Sequence, residues 1–157
     1  MGFLSELRSR LAGAVLHRAV VCEDPVLGEM EEIGGGLWQT VQPVIFREGM
    51  EPVVVTVEGD LLVDRCAGSW GREVFGELRA RYEGLQGQIG PMICDVSPRV
   101  KASCLWEHAV LVGVEIWRTP GSGEAAVALE YQVSDEPEWV YVVRVEGWKP
   151  VDVTITG

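Results

Sequence analysis

Two histidines and four cysteines bound the nucleophilic and metal chemistry this chain can carry out. Cys104 and His108 stand four residues apart, a spacing that places both on one side of a helix. A thiolate beside an imidazole is a nucleophile, and with Cys94 or Asp95 the pair would supply zinc ligands. Against that, no third ligand follows at a recognisable spacing, and the chain is leaving helix for strand at Leu105-Trp106. A structural thiol and a surface histidine are the expected roles. Asp60 and Asp64 flank a short apolar run, and Glu73 and Glu77 sit at helical spacing, so either pair has the residue types of acid-base chemistry. That chemistry needs a pocket and shifted pKa values, and solvated carboxylates are the expectation for both pairs. Gly34-Gly35-Gly36 lacks the Lys-Ser/Thr of a phosphate cradle and reads as a hairpin turn. Calcium-loop, dinucleotide and serine-hydrolase signatures are absent. The chain reads as non-enzymatic, with no catalytic residue, cofactor or metal assigned.

Six tryptophans remain to be placed: Trp38, Trp70, Trp106, Trp117, Trp139 and Trp148. Most belong in or beside a core. Trp117 opposes the valine face of its strand and Trp148 sits in a turn, so these two are the candidates for contact with a partner, with apolar cover on the sheet's second face as an equal alternative.

The elements that must position these residues follow from periodicity. The last third, residues 109–157, alternates apolar and polar side chains in four successive runs, the period of strands with one buried face. Val110, Val112, Val114 and Ile116 share a face in the first run, then Ala125, Val127, Leu129 and Tyr131 in the second. Trp139, Tyr141, Val143 and Val145 do so in the third, and Val151, Val153 and Ile155 in the fourth. Gly and Pro punctuate the short gaps, and gaps this short join only antiparallel neighbours. Before this meander, residues 69–104 shift to helical spacing through Trp70, Val74, Phe75, Leu78, Tyr82, Leu85 and Ile89. Ser69 is the expected N-cap and Glu77–Arg81 a supporting pair, with a second helical stretch over 92–104. Residues 25–64 read as N-terminal strands: 26–33, then 37–46 weakened by Pro43, then 53–58, with a short extension at 61–63. Residues 1–18 form an amphipathic helix on Phe3, Leu4, Leu7, Leu11, Ala14 and Val15, packed on the domain or serving as a dimer contact. The predicted fold is one α+β domain, an antiparallel sheet of meander hairpins covered by helices on one face in two layers.

Length and composition agree with that architecture. A chain of 157 residues suits one domain burying about 70% of its unfolded surface, and 47% of the residues are apolar. No apolar run reaches the length of a membrane span, and Glu6 interrupts what would be a secretory signal, so a cytoplasmic setting is expected. The cysteines are widely spaced, which predicts reduced thiols in place of a disulfide framework. The net charge of −11 is uneven. Residues 1–18 hold three Arg and one Glu, whereas residues 19–64 hold ten acids and the single Arg47. A field this negative disfavours nucleic acid and anionic membrane; it either serves solubility alone or favours a basic protein surface.

Asp24-Pro25-Val26-Leu27-Gly28-Glu29-Met30 with Leu37-Trp38 resembles the opening of small bacterial domains of unknown function. The stretch from Trp139 to Ile155, through Tyr141, Val143, Gly147, Pro150 and Val151, resembles their closing hairpin. Some such domains are encoded among immunity genes of polymorphic toxin systems, and the resemblance implies neutralisation of a toxin by binding. The acidic band of Glu29, Glu31, Glu32, Glu48, Glu51, Glu58 and Asp60, together with Trp117 and Trp148, is where the sequence places a partner. Two alternatives stand beside this: a thiol-dependent enzyme or metal binder at Cys104 and His108, and a structural module that self-associates as a homodimer.

Overall fold

The computed structural model describes residues 20–59, 68–97 and 99–157. Eight strands form a single sheet in chain order: β1 (Val21–Asp24), β2 (Gly28–Gly34), β3 (Leu37–Thr40), β4 (Val54–Glu58), β5 (Ala109–Arg118), β6 (Ala125–Val133), β7 (Glu136–Glu146) and β8 (Lys149–Thr156). Six of the seven junctions are antiparallel; β4 and β5 pair in parallel. A parallel return needs a crossover, and the 29-residue helix α1 (Gly68–Val96) provides it. The four C-terminal strands match the predicted meander; the parallel step was not foreseen, and the expectation of a wholly antiparallel sheet is corrected there.

One set of alternating side chains forms the core. Leu111, Val114 and Ile116 of β5, Val127, Leu129, Tyr131 and Val133 of β6, and Tyr141, Val143 and Val145 of β7 join Val53, Val55 and Val57 around β4 in one buried cluster. Helix α1 contributes Val74, Phe75, Leu78, Tyr82, Leu85, Ile89 and Ile93 to the same cluster, a stripe at three- and four-residue steps. Phe46, in the β3–β4 loop, meets Phe75 and Tyr82 edge-on with centroids 5.7 and 4.9 Å apart. Ion pairing binds the sheet edge to the helix: buried Asp24 accepts the amides of Val26 and Leu27 and pairs with Arg72 at 3.0 Å.

Several local readings are corrected. Val21–Asp24 forms strand β1, a stretch to which the sequence assigned no element, and β2 begins only at Gly28. Strand β3 stops at Thr40 because Pro43 has no amide for the ladder; only an isolated Val44–Val53 bridge continues it. A register shift between Leu111 and Gly113 moves the β5 alternation, so Leu111 faces the core and Val110 is exposed. Helix α1 starts at Gly68, with Ser69 inside it, and runs through Pro91 to Val96. The second helical stretch shrinks to a 3₁₀ turn at Ala102–Cys104 and a single turn, α2, at Leu105–His108, where strand had been expected to begin. Cys22 is disulfide-bonded, against the expectation of reduced thiols, while Cys94 and Cys104 are free. The Glu77–Arg81 pair forms as predicted, at 2.9 Å. The predicted helix over 1–18, the extension at 61–63, Asp60 and Asp64 lie outside the described residues. Among the described residues, no helix is long and apolar enough to cross a membrane.

Candidate functional site

The side chains that alternate with the core set lie on the second face of the sheet. Strand register aligns them in rows across the strands. One row runs Glu31, Gln39, Thr56, Glu115, Ala128, Arg144, Asp152; beside it Leu37 pairs with Glu58, and Trp117, Ala126, Glu146 and Lys149 align across β5 to β8. At the β1–β2 edge Glu23 stands directly opposite Glu29, with Glu31 two residues on and on the same face. This face therefore gathers Glu23, Glu29, Glu31, Glu58, Glu115, Glu130, Glu146 and Asp152, against Arg144 and Lys149.

Two of these acids are close to one another at the centre. Glu115 is 5% exposed, in a strand whose only other charged residue is the terminal Arg118. Burial, and secondarily the charge of Glu130, push its carboxyl up to about 7. Glu130 lies over Gly113: a Cβ added there would stand 2.9 Å from its Oε2, so the missing side chain makes room for the carboxylate. Sequence reasoning missed this pair and Glu23. The available signal was a lone glutamate within Val-Gly-Val-Glu-Ile, two residues after a glycine that leaves space beside it.

The acidic band of the sequence is divided. Glu29 and Glu31 share the second face, but Glu32 pairs with Trp38 on the opposite side of β2. Glu48 and Glu51 are exposed on the β3–β4 loop. There, Arg47, Glu48, Gly76, Arg79 and Ala80 line an open cleft of about 380 Å³. Glu58 accepts the Arg118 amide at 2.8 Å, and the Arg118 guanidinium stacks on Trp70 at 3.9 Å. Trp117 is half-buried on the second face. Trp148 packs against the core with Arg81 over its ring at 5.1 Å, held in the left-handed region at φ 60° beside Gly147.

The thiol and imidazole singled out by spacing point elsewhere. The Cys104 thiol faces the Lys101 carbonyl at 3.6 Å, and His108 Nδ1 faces Ser134 Oγ at 3.3 Å. Burial raises the Cys94 thiol, with smaller contributions from Asp95 and Cys104. Among the described residues no group of three His, Cys, Asp or Glu side chains could hold a metal ion. Glu73 and Glu77 are exposed on α1, where Glu77 is engaged by Arg81. The remaining buried acid, Glu136, accepts from Ser97 Oγ at 3.0 Å and from the Tyr141 hydroxyl on Oε2. Its Oε1 has no hydrogen bond and the exposed Arg99 stands 3.9 Å away, an arrangement that ties the end of α1 to the β6–β7 turn.

Comparison with protein-family models, with curated proteins and with solved structures finds no match.

Proposed function

We propose that this chain is a non-enzymatic binding domain for a basic protein, an immunity-like inhibitor that presents the acidic second face of its sheet at the β1–β2 edge. The observation that carries the reading is the exposed Glu23–Glu29 pair, with Glu31 beside it on the same face. Like charges directly opposite on neighbouring strands oppose pairing, and none of the three is in an ion pair among the described residues. A cationic side chain arriving from a partner would turn that repulsion into attraction. In this reading the architecture is two-layered, with α1 covering the core face and the β1–β2 edge of the acidic face, where Glu23 and Glu29 are exposed, available for binding. Association would be electrostatically steered, hence fast at low salt and sensitive to ionic strength.

The test is affinity capture from the source cells with the full chain as bait, in parallel with Glu29→Lys and Glu31→Lys combined. A basic polypeptide retained at about 50 mM salt, lost from the charge-reversed bait and released as salt rises toward ~300 mM, is the expected result. Capture indifferent to both manipulations sinks the reading.

A further inference from the structure

Two thiols are brought together where the chain leaves α1 for β5. Helix α1 closes as the Ser97 amide donates to the Ile93 carbonyl, and two tight turns follow at once. The Val100 amide donates to the Ser97 carbonyl, and the Cys104 amide to the Lys101 carbonyl. These turns reverse the chain, so that α2 comes back along the last turns of α1. A Cβ added at Gly90 would meet Leu105 Cδ2 at 3.7 Å and Trp106 Nε1 at 3.4 Å. Trp106 is held there by Tyr131, edge to face with centroids 5.5 Å apart.

Cys94 lies one helical turn beyond Gly90 on the same side of α1, and Cys104 immediately precedes Leu105. Because the two segments run in opposite directions, Cys104 comes to the level of Cys94. Electrostatics agrees: the charge of Cys104 contributes to raising the Cys94 thiol, after burial and Asp95. Both thiols are free and half-buried, within reach of a small reagent. His108 faces Ser134 instead of Cys104, which leaves the second thiol as the reactive neighbour. The chain already keeps one disulfide, at Cys22.

We propose that Cys94 and Cys104 are a redox-responsive dithiol that closes to a disulfide and locks the end of α1 to the turns leading into β5. The oxidant is a small-molecule disulfide such as that of glutathione. Burial keeps the Cys94 thiol protonated, so the first attack falls to Cys104. Its thiolate displaces one glutathione thiolate and leaves a mixed disulfide on Cys104. Cys94 then gives up its proton and attacks the Cys104 sulfur, expelling the second glutathione. Two protein thiols are oxidised to one disulfide, and one glutathione disulfide is reduced to two thiols that take up the two protons. The closed ring contains Ser97 and Arg99, the residues that reach Glu136, so oxidation fixes the tie between α1 and the β6–β7 turn. The proposal is independent of the basic partner, because it uses no residue of the acidic face.

The full-length protein, with both thiols free, is incubated with glutathione disulfide, and its intact mass and tryptic peptides are measured. The wild type should lose two hydrogens without retaining glutathione. Cleavage after Arg99 and Lys101 should then release two peptides joined through Cys94 and Cys104. Cys94→Ser should stop at one glutathione retained on Cys104, whereas Cys104→Ser should acquire one on Cys94 roughly tenfold more slowly. Equal rates in the two variants overturn the order of attack. A wild type that retains glutathione, or that reacts at neither thiol, overturns the dithiol itself, and this result stands without the variants. Exchange that opens the Cys22 bond in place of joining the two thiols does the same. Hydrogen exchange reads the lock: the Val100 and Cys104 amides should exchange roughly tenfold more slowly in the oxidised form, and unchanged rates overturn it.

Discussion

Glu115 shows what a single charge does when a strand places it where solvent is scarce. Its folded pKa of about 7 lies above the ordinary 4.5, raised first by burial and then by Glu130. The folded state therefore holds this proton more tightly than the unfolded chain. No cost arises below the unfolded value; stability falls as pH rises between about 4.5 and 7, then levels. The full effect is on the order of 3 kcal/mol. Chemical denaturation at pH 5 and pH 8 should show this loss in the wild type and a flatter response in Glu115→Gln; equal slopes in the two proteins would refute the assignment. Nothing in the local sequence announces such a shift. Alternation identified the face of Glu115 correctly, but burial on that face depends on chain segments remote from it.

Among the elements, α1 owes its stability to packing more than to propensity. Its buried stripe was legible from the sequence because seven apolar residues kept helical step through Ile89. Its end was not, because Pro91 lies inside the helix instead of stopping it. Proline lacks an amide, and a helix tolerates that loss only where tertiary contacts compensate; Ile93 in the core and Ser97 bonded to Glu136 hold the last turns in place. The helical glycines separate into two kinds. A Cβ at Gly84 meets nothing within 4 Å, whereas one at Gly90 comes 3.4 Å from Nε1 of Trp106. Gly84→Ala should raise stability by about 0.5–1 kcal/mol, the helix-propensity difference, and Gly90→Ala should give less or none of that gain. Urea unfolding of the two variants compares them directly. The bulge in β5 was illegible for a related reason: one extra residue at Leu111–Gly113 leaves no compositional mark, yet it exchanges the faces of everything before it.

At the level of the whole molecule, charge and covalent structure diverge in how far they could be read. The acid excess of residues 19–64 was evident from counting, but folding scatters it. Glu48 and Glu51 go to a loop, Glu58 is taken up by the Arg118 amide, and Glu29 and Glu31 meet Glu23 and the centre of the sheet. The disulfide at Cys22 was unreadable because cysteine spacing along a chain does not report distance in space. Reduction should therefore destabilise the protein, by about 2–4 kcal/mol if the bond has ordinary strength. Thermal melts with and without reductant, repeated on Cys22→Ser, measure it: the variant should lose its response to reductant, and an unchanged wild-type melt would contradict the bond.

The lone parallel junction between β4 and β5 also sets an order of assembly. Strands β5 to β8 pair with neighbours only a turn away, so their meander closes short loops and forms quickly. Joining β4 to β5 must wait for the chain between them to be gathered through α1, the most costly loop closure in the described sheet. The barrier to folding then lies at that joining, with the C-terminal meander already formed when it is crossed. Stopped-flow kinetics should find that Leu129→Ala and Val143→Ala slow refolding, whereas Val55→Ala and Val57→Ala chiefly accelerate unfolding. The reverse pattern would place the nucleus in the N-terminal strands. A chain with one sheet would thus fold as two halves, the later-synthesised half first.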